Sequence, residues 1–345
     1  MNVSPTVWVI TIVVIGALFV FDFFAHVRTP HAPSLKESGS WSAVYIVIAL
    51  LFGGFIWWQW GGTYGGEYYA GFVTEKALSV DNLFVFVIIM AKFAVPREYQ
   101  QKVLLLGIVM ALVMRGAFIA VGAAAINAYS WVFYLFGAFL IYTAIKLVRD
   151  AAGHDDAGDE DEGRIQKFVA KHLRSTEEYD SDKLFTKANG KRLATPMLMV
   201  LIVIGFTDVL FALDSIPAIY GLTEQPYIVF TANAFALMGL RQLYFLLGGL
   251  LDRLVYLSYG LSIILAFIGV KLVLHALHEN TLGFINGGEH ISVPEIPTAL
   301  SLGVIVGVLV VTTVASLVWG RPADRDPEVD DREGGAQVAS GDGTR

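Results

Sequence analysis

Thr74-Glu75-Lys76-Ala77-Leu78-Ser79-Val80-Asp81-Asn82 and Thr207-Asp208-Val209-Leu210-Phe211-Ala212-Leu213-Asp214-Ser215 are two versions of one phrase. Each reads threonine, acid, five residues, aspartate, then a small polar amide or hydroxyl. Both sit inside apolar runs long enough to cross a bilayer, which takes about twenty residues. The likeness continues one helix later, with Arg115 and Arg241 both placed mid-span, and one helix further on with Lys146 and Lys271. Chance similarity between apolar helices accounts for shared Leu and Phe, but hardly for shared charges. Three helices therefore match three helices.

Working outward, apolar segments fall at 7–27, 41–60, 67–93, 103–126, 129–149, 195–221, 228–250, 253–277 and 298–319. Hydrophobic residues make up 55% of the chain and charged residues 16%, against about a quarter charged in a soluble domain. Mean hydropathy is +0.61. The sequence thus predicts an all-α polytopic membrane protein of about nine transmembrane helices. The first run lacks a basic leader and is long for a signal segment, so it reads as a retained span.

Lys and Arg alternate strictly between connections. Arg28 and Lys36 lie in the first, Lys92, Arg97 and Lys102 in the third, and nine basic residues from Arg149 to Arg192 in the fifth. The seventh carries Arg253 and the tail Arg321, Arg325 and Arg332, whereas 61–66, 127–128, 222–227 and 278–297 carry none. The positive-inside rule then puts the N-terminus outside and the C-terminus in the cytoplasm. Trp57, Trp58, Trp60, Tyr64, Tyr68 and Tyr69 form an aromatic belt at the outer ends of the second and third spans. In this orientation spans 3–5 and 6–8 run in opposite senses, a 3+3 inverted-topology repeat of the kind that builds transporters around a midplane site.

The chain divides into transmembrane helices 1–5 (1–149), a cytoplasmic acidic loop (150–194), helices 6–9 (195–320) and a disordered cytoplasmic tail (321–345). The loop begins HDDAGDEDE and continues with a short amphipathic helix near 164–173. There are no cysteines, which removes disulfides, thiolate ligands and thiol redox chemistry. No basic cluster or stacking platform points to nucleic acid. No nucleophile motif, phosphate loop or zinc signature points to an enzyme or to a prosthetic group.

Glu75, Asp81, Asp208 and Asp214 lie deep in spans and together cost on the order of 10 kcal/mol if uncompensated. Arg115 and Arg241 are the expected charge partners, yet four acids outnumber them. Carboxylates with Asn82, Ser215 and freed backbone carbonyls make a hard-oxygen donor set, suited to magnesium, calcium or manganese. Residues six apart differ by about 240° around a helix, so Glu75 and Asp81 serve one site only if the helix is broken. Pro217 predicts a break in the sixth span, freeing the Leu213 carbonyl. Asp22 and His26, four apart in the first span, read either as an extension of an ion path or as a capping pair. Lys146 reads as a snorkelling lysine.

The stretches GEYYAGFVTEKALSVDNLFVFVIIM and GFTDVLFALDSIPAIYGLT, followed by ALMGLRQLYFLLGGLLDRLVYLSYGLSIILAFIGVKLVLHA, resemble the TerC/Alx family of bacterial integral membrane proteins. The resemblance implies a multi-pass manganese exporter of the bacterial inner membrane, in the wider LysE-like transporter group, with an association to tellurite resistance. It implies that Glu75, Asp81, Asp208 and Asp214 line the metal path, with Asn82 and Ser215 beside them. The expected function is divalent metal export, with Mn2+ as substrate and protons as counter-ion. The alternative is a membrane scaffold or tellurium-resistance factor that assists metal loading or assembly of exported proteins. Its partners are then the lipid bilayer and the metal cation, with a homo-oligomer left open.

Overall fold

The computed structural model describes residues 1–28, 31, 33–151, 179–188, 191–247, 256–280, 282 and 285–319. Helix α1 (Pro5–Asp22) runs into a π-helical turn, Phe23–Val27. Ser4 begins α1 by accepting from Val7 N, and Ser34 does the same for α2 (Leu35–Trp60) through Glu37 N at 3.2 Å. These are N-caps that satisfy donors a helix start leaves open. Then come α3 (Gly62–Lys92), α4 (Arg97–Ala128) and α5 (Val132–Ala151). A two-stranded antiparallel hairpin follows, β1 (Phe185–Ala188) and β2 (Lys191–Ala194), with Phe185 opposite Ala194. The chain continues as α6 (Pro196–Tyr220), α7 (Pro226–Leu237), α8 (Leu240–Leu247), α9 (Leu257–His278) and α10 (Thr298–Trp319).

Eight helical segments among the described residues are long and apolar enough to cross a membrane, counting α7 and α8 as one. The expected third span, α3, is 31 residues long, and its Glu67, Glu75, Lys76 and Asp81 keep it out of that apolar set. It is nevertheless central, packing on α2, α6, α7 and α10.

Helix ends meet in two sets, as an up-and-down bundle requires. At one end Met1 N donates to Tyr64 Oη at 2.8 Å and His275 pairs with Glu224 at 2.9 Å. At the other, Tyr179 Oη donates to Phe93 O at 2.7 Å, Tyr259 Oη to Ala151 O at 3.1 Å, and Lys102 pairs with Asp182 at 2.6 Å. The orientation expected from the basic connections would put the first set at the outer face and the second at the inner.

Three pairings dominate the middle: α3 with α7, α4 with α6, and α5 with α9. Numbered within their triplets, these are first with second, second with first, and third with third. The expected inverted repeat would pack in this reciprocal way. In the α5–α9 contact the two backbones come close, since a Cβ on Gly137 would lie 2.9 Å from Gly269 O and one on Gly269 3.0 Å from Gly137 O. Small residues let membrane helices approach to this degree.

The expected break in the sixth span is absent. Helix α6 continues through Pro217 to Tyr220, because a proline one turn from the end disturbs little helix beyond it. The break lies in the seventh span instead. Met238 leaves helical geometry at ψ 132° and Gly239 takes φ +78°, separating α7 from α8. Lys76 Nζ donates to the freed carbonyls of Ala236 and Met238 at 2.9 and 3.3 Å. The expected helix at 164–173, the acidic run of the loop and the tail lie outside the described residues.

Candidate functional site: a buried arginine centre between two polar cavities

Arg115 of α4 is fully buried. Its Nε and Nη2 donate to both oxygens of Asp208 of α6, each at 3.0 Å, in the bidentate geometry that guanidinium and carboxylate share. Nη1 donates to Glu75 of α3 and, at 3.2 Å, to Ser215 Oγ. One residue therefore holds the equivalent acids of both phrases together. Two carboxylates face one guanidinium, and Glu75 Oε2 takes no hydrogen-bond partner. Thr74 Oγ1, Ser79 Oγ and the Asn233 amide are likewise buried without a partner. Unmet polar groups in a dry interior cost about 1–3 kcal/mol each, so a helix bundle tolerates few of them without another use.

The second acid of the sixth span faces open space. Asp214, Asn82 and Ser215 line a cavity of about 170 Å3 with Thr143 and Lys146 of α5. Thr143 Oγ1 donates to Asp214 Oδ1 at 2.9 Å. Ser215 is common to both places, accepting from Arg115 on one side and lining the cavity on the other. Asp81 is in α3, but its side chain lies outside the described residues.

A larger cavity, about 430 Å3, opens toward the expected outer face and is lined by Glu67, Thr223, Glu224, Lys271 and His275 among others. Thr223 Oγ1 donates to Glu67 Oε2 at 2.5 Å. The His275 imidazole beside Glu224, in the α6–α7 connection, holds that carboxyl below the usual glutamate range.

Arg241 joins neither cavity. Its Nη2 donates to Asp22 at 2.8 Å and its Nη1 to Gln101 Oε1 at 2.9 Å. Tyr45 Oη at 2.6 Å and Gln242 Nε2 at 3.3 Å also donate to Asp22, with His26 Nδ1 3.2 Å away. So Arg115 and Arg241, read as equivalents from the sequence, serve different acids. The structure brings Glu75, Asp208 and Ser215 together around Arg115, puts Asn82, Asp214 and Ser215 on a cavity, and separates Arg241 from both. Among the described residues no group of three or more His, Asp or Glu is arranged to hold a metal ion.

Sequence reasoning did not single out Thr143, Glu67 or Thr223. The i, i+3 spacing of Thr143 and Lys146 puts both on one helix face, and was the available signal for the first. Glu67 has no comparable pattern around it.

The family model of the integral membrane protein TerC family matches residues 60–324. The chain belongs to the TerC family. Its relatives include an uncharacterized membrane protein of Mycobacterium tuberculosis, 51% identical over 317 residues, covering 92% of this chain and 80% of that one. An uncharacterized membrane protein of Myxococcus xanthus is 38% identical over 320 residues, covering 93% and 94%. An Escherichia coli protein named for membrane-bound redox modulation, Alx, is 36% identical over 320 residues, covering 90% and 94%. No solved structure matches the chain. The matched region of this TerC-family protein contains both acid phrases, Arg115 and all residues named on the two cavities.

Proposed function

We propose that this TerC-family protein transports a divalent metal cation, with Mn2+ exported across the bacterial inner membrane in exchange for protons. The carrying observation is the Asn82–Asp214–Ser215 cavity, because it offers carboxylate, amide and hydroxyl oxygens to a small space within the bundle. Hard divalent cations take such donors and fill the remaining positions with water. A carboxylate held within the bundle is compensated by one cation or another, so an arriving metal displaces the proton or ammonium already there, which links metal uptake to the release of positive charge, protons included. Reciprocal packing of the two triplets, with polar cavities on both sides of Arg115, supports an alternating-access scheme. Export is the reading implied by the family resemblance, and the relatives being bacterial supports an inner-membrane location.

The arginine geometry weighs against a tellurium oxyanion as cargo. Arg115 is held by two carboxylates and Arg241 by Asp22 and Gln101, so that of the two only the buried Arg241 Nε is without a partner. The redox wording belongs to the Escherichia coli relative; a thiol-based version of it has no place in a chain without cysteine. The scaffold alternative would depend on the cytoplasmic loop rather than on the intramembrane acids.

Cellular manganese in a metal-sensitive host tests the reading, with wild type, Asp81→Asn and Asp214→Asn at matched membrane levels. Lower manganese with the wild type alone is expected. Equal manganese in all three would defeat the transport reading, and a loss of phenotype on deleting about residues 155–185 would then favour the scaffold.

A further inference from the structure

The Asp214 cavity contains a cation of its own. Lys146 shares its lining with Asp214, Asn82, Thr143 and Ser215, and acts electrostatically on Asp214. Among the described residues it makes no ion pair, so its charge is near the carboxylate without being locked to it. Asn82 is more than nine-tenths buried, lines the same space, and has no side-chain hydrogen bond among the described residues. Asp214 is held by Thr143 through one oxygen. A volume of about 170 Å3 has room for several waters at ~30 Å3 each, or for a partly hydrated ion.

The arrangement recurs in the outer cavity. There Thr223 holds Glu67, and Lys271 lines the same space. Lys146 and Lys271 come from α5 and α9, the third helix of each triplet. A threonine-held carboxylate facing a lysine thus occurs on both sides of the arginine centre. Both lysines line cavities that hold a carboxylate, Lys271 also donating to Ser301 Oγ of α10 at 3.3 Å.

We propose that Lys146 is the resident counter-cation of the Asn82–Asp214 cavity, and that a divalent cation occupies the cavity by displacing the Lys146 ammonium from it. Thr143 is a positioning residue that keeps Asp214 aimed at the cavity. This rests on the cation-transport reading above and goes beyond it by naming what sets the affinity. With Lys146 in place, the cavity keeps its carboxylate compensated between turnovers. The arriving cation must overcome that compensation, so binding is weakened and release is eased. Like charges sharing so small a space repel each other, the more so where little water screens them.

The test measures Mn2+ affinity of the purified full-length protein in nanodiscs by titration calorimetry, and Mn2+ transport in proteoliposomes. Lys146→Gln is expected to tighten the Mn2+ Kd by about tenfold or more. It should also lower the transport KM and the maximal rate together, because the ion leaves more slowly. Lys146→Arg, which keeps the charge, should return both toward the wild-type values. Thr143→Val should weaken binding, and Asp214→Asn should abolish it. Unchanged or weaker binding in Lys146→Gln, with Asp214→Asn still abolishing it, overturns the counter-cation role and leaves the transport reading standing. No Mn2+ binding by the wild type overturns both. Should Lys146→Gln not fold, Lys146→Met under the same assay serves the same decision. Independently, anomalous scattering from Mn2+ in wild-type crystals should place the ion beside Thr143 and Asp214; an ion beside Arg115 overturns the assignment.

Discussion

Arg115 is surrounded entirely by protein, and the two carboxylates it binds are as dry as it is. Removing one partner from a buried ion cluster leaves an uncompensated charge, at a cost of about 3–5 kcal/mol. Arg115→Met should therefore destabilise the protein by roughly that amount, read as a lower midpoint of thermal unfolding in detergent. Adding Glu75→Gln and Asp208→Asn in the same chain should recover much of the loss, since no charge is then left without a partner. A single variant as stable as the wild type would mean that water or another cation reaches these acids. The charges themselves were legible from sequence, because an acid in an apolar run is conspicuous. That Arg115 would pair with such acids was legible as well, but which acids each arginine takes was not. Sequence gives a residue's depth in the membrane but not its direction around the helix, so the likeness of Arg241 to Arg115 could not reveal that Arg241 faces Asp22 of α1.

Among the helices, the seventh span shows how a local choice is enforced by its neighbours. Gly239 adopts φ +78°, and a Cβ there would also lie 3.1 Å from the Tyr45 Cβ. Left-handed geometry costs an ordinary residue about 1–2 kcal/mol, so Gly239→Ala should lower stability by at least that much. The same variant should accelerate hydrogen exchange at α8, the segment hinged there. Lys76 explains why the break is sustainable, since its ammonium meets the carbonyls that the missing helical turn leaves open. Unaltered stability and exchange would show that the hinge relaxes freely and that the glycine is incidental. Sequence reasoning located a break at Pro217 because proline removes a donor wherever it sits. It overlooked that a proline one turn from a helix end has little helix left to interrupt. The hairpin was overlooked for a different reason. Asn189-Gly190 is a strong turn dipeptide in the sequence, but the reading of the loop rested on its acidic run and on the helical amphipathicity near 164–173.

At the scale of the whole molecule, the alternation of basic connections was enough to lay out a bundle whose helices meet end to end in two sets. What it could not supply was depth in three dimensions. The Arg115 centre separates the two cavities, with Asp214 and Lys146 on one and Glu67 and Lys271 on the other. If the positive-inside orientation holds, the first cavity faces the cytoplasm and the second the exterior. The chain has no cysteine, so single substitutions give unambiguous probes. Thr223→Cys in intact cells should react with a membrane-impermeant maleimide added outside. Thr143→Cys should resist that reagent and react only in inverted vesicles. Mn2+ should protect Thr143→Cys, because the ion would occupy the space the reagent needs. Labelling of both positions from one side would refute the two-cavity arrangement, since an uninterrupted pore exposes both walls to the same solution. Reversed sidedness would keep the two cavities but invert the membrane orientation, and with it the direction in which the cation is carried.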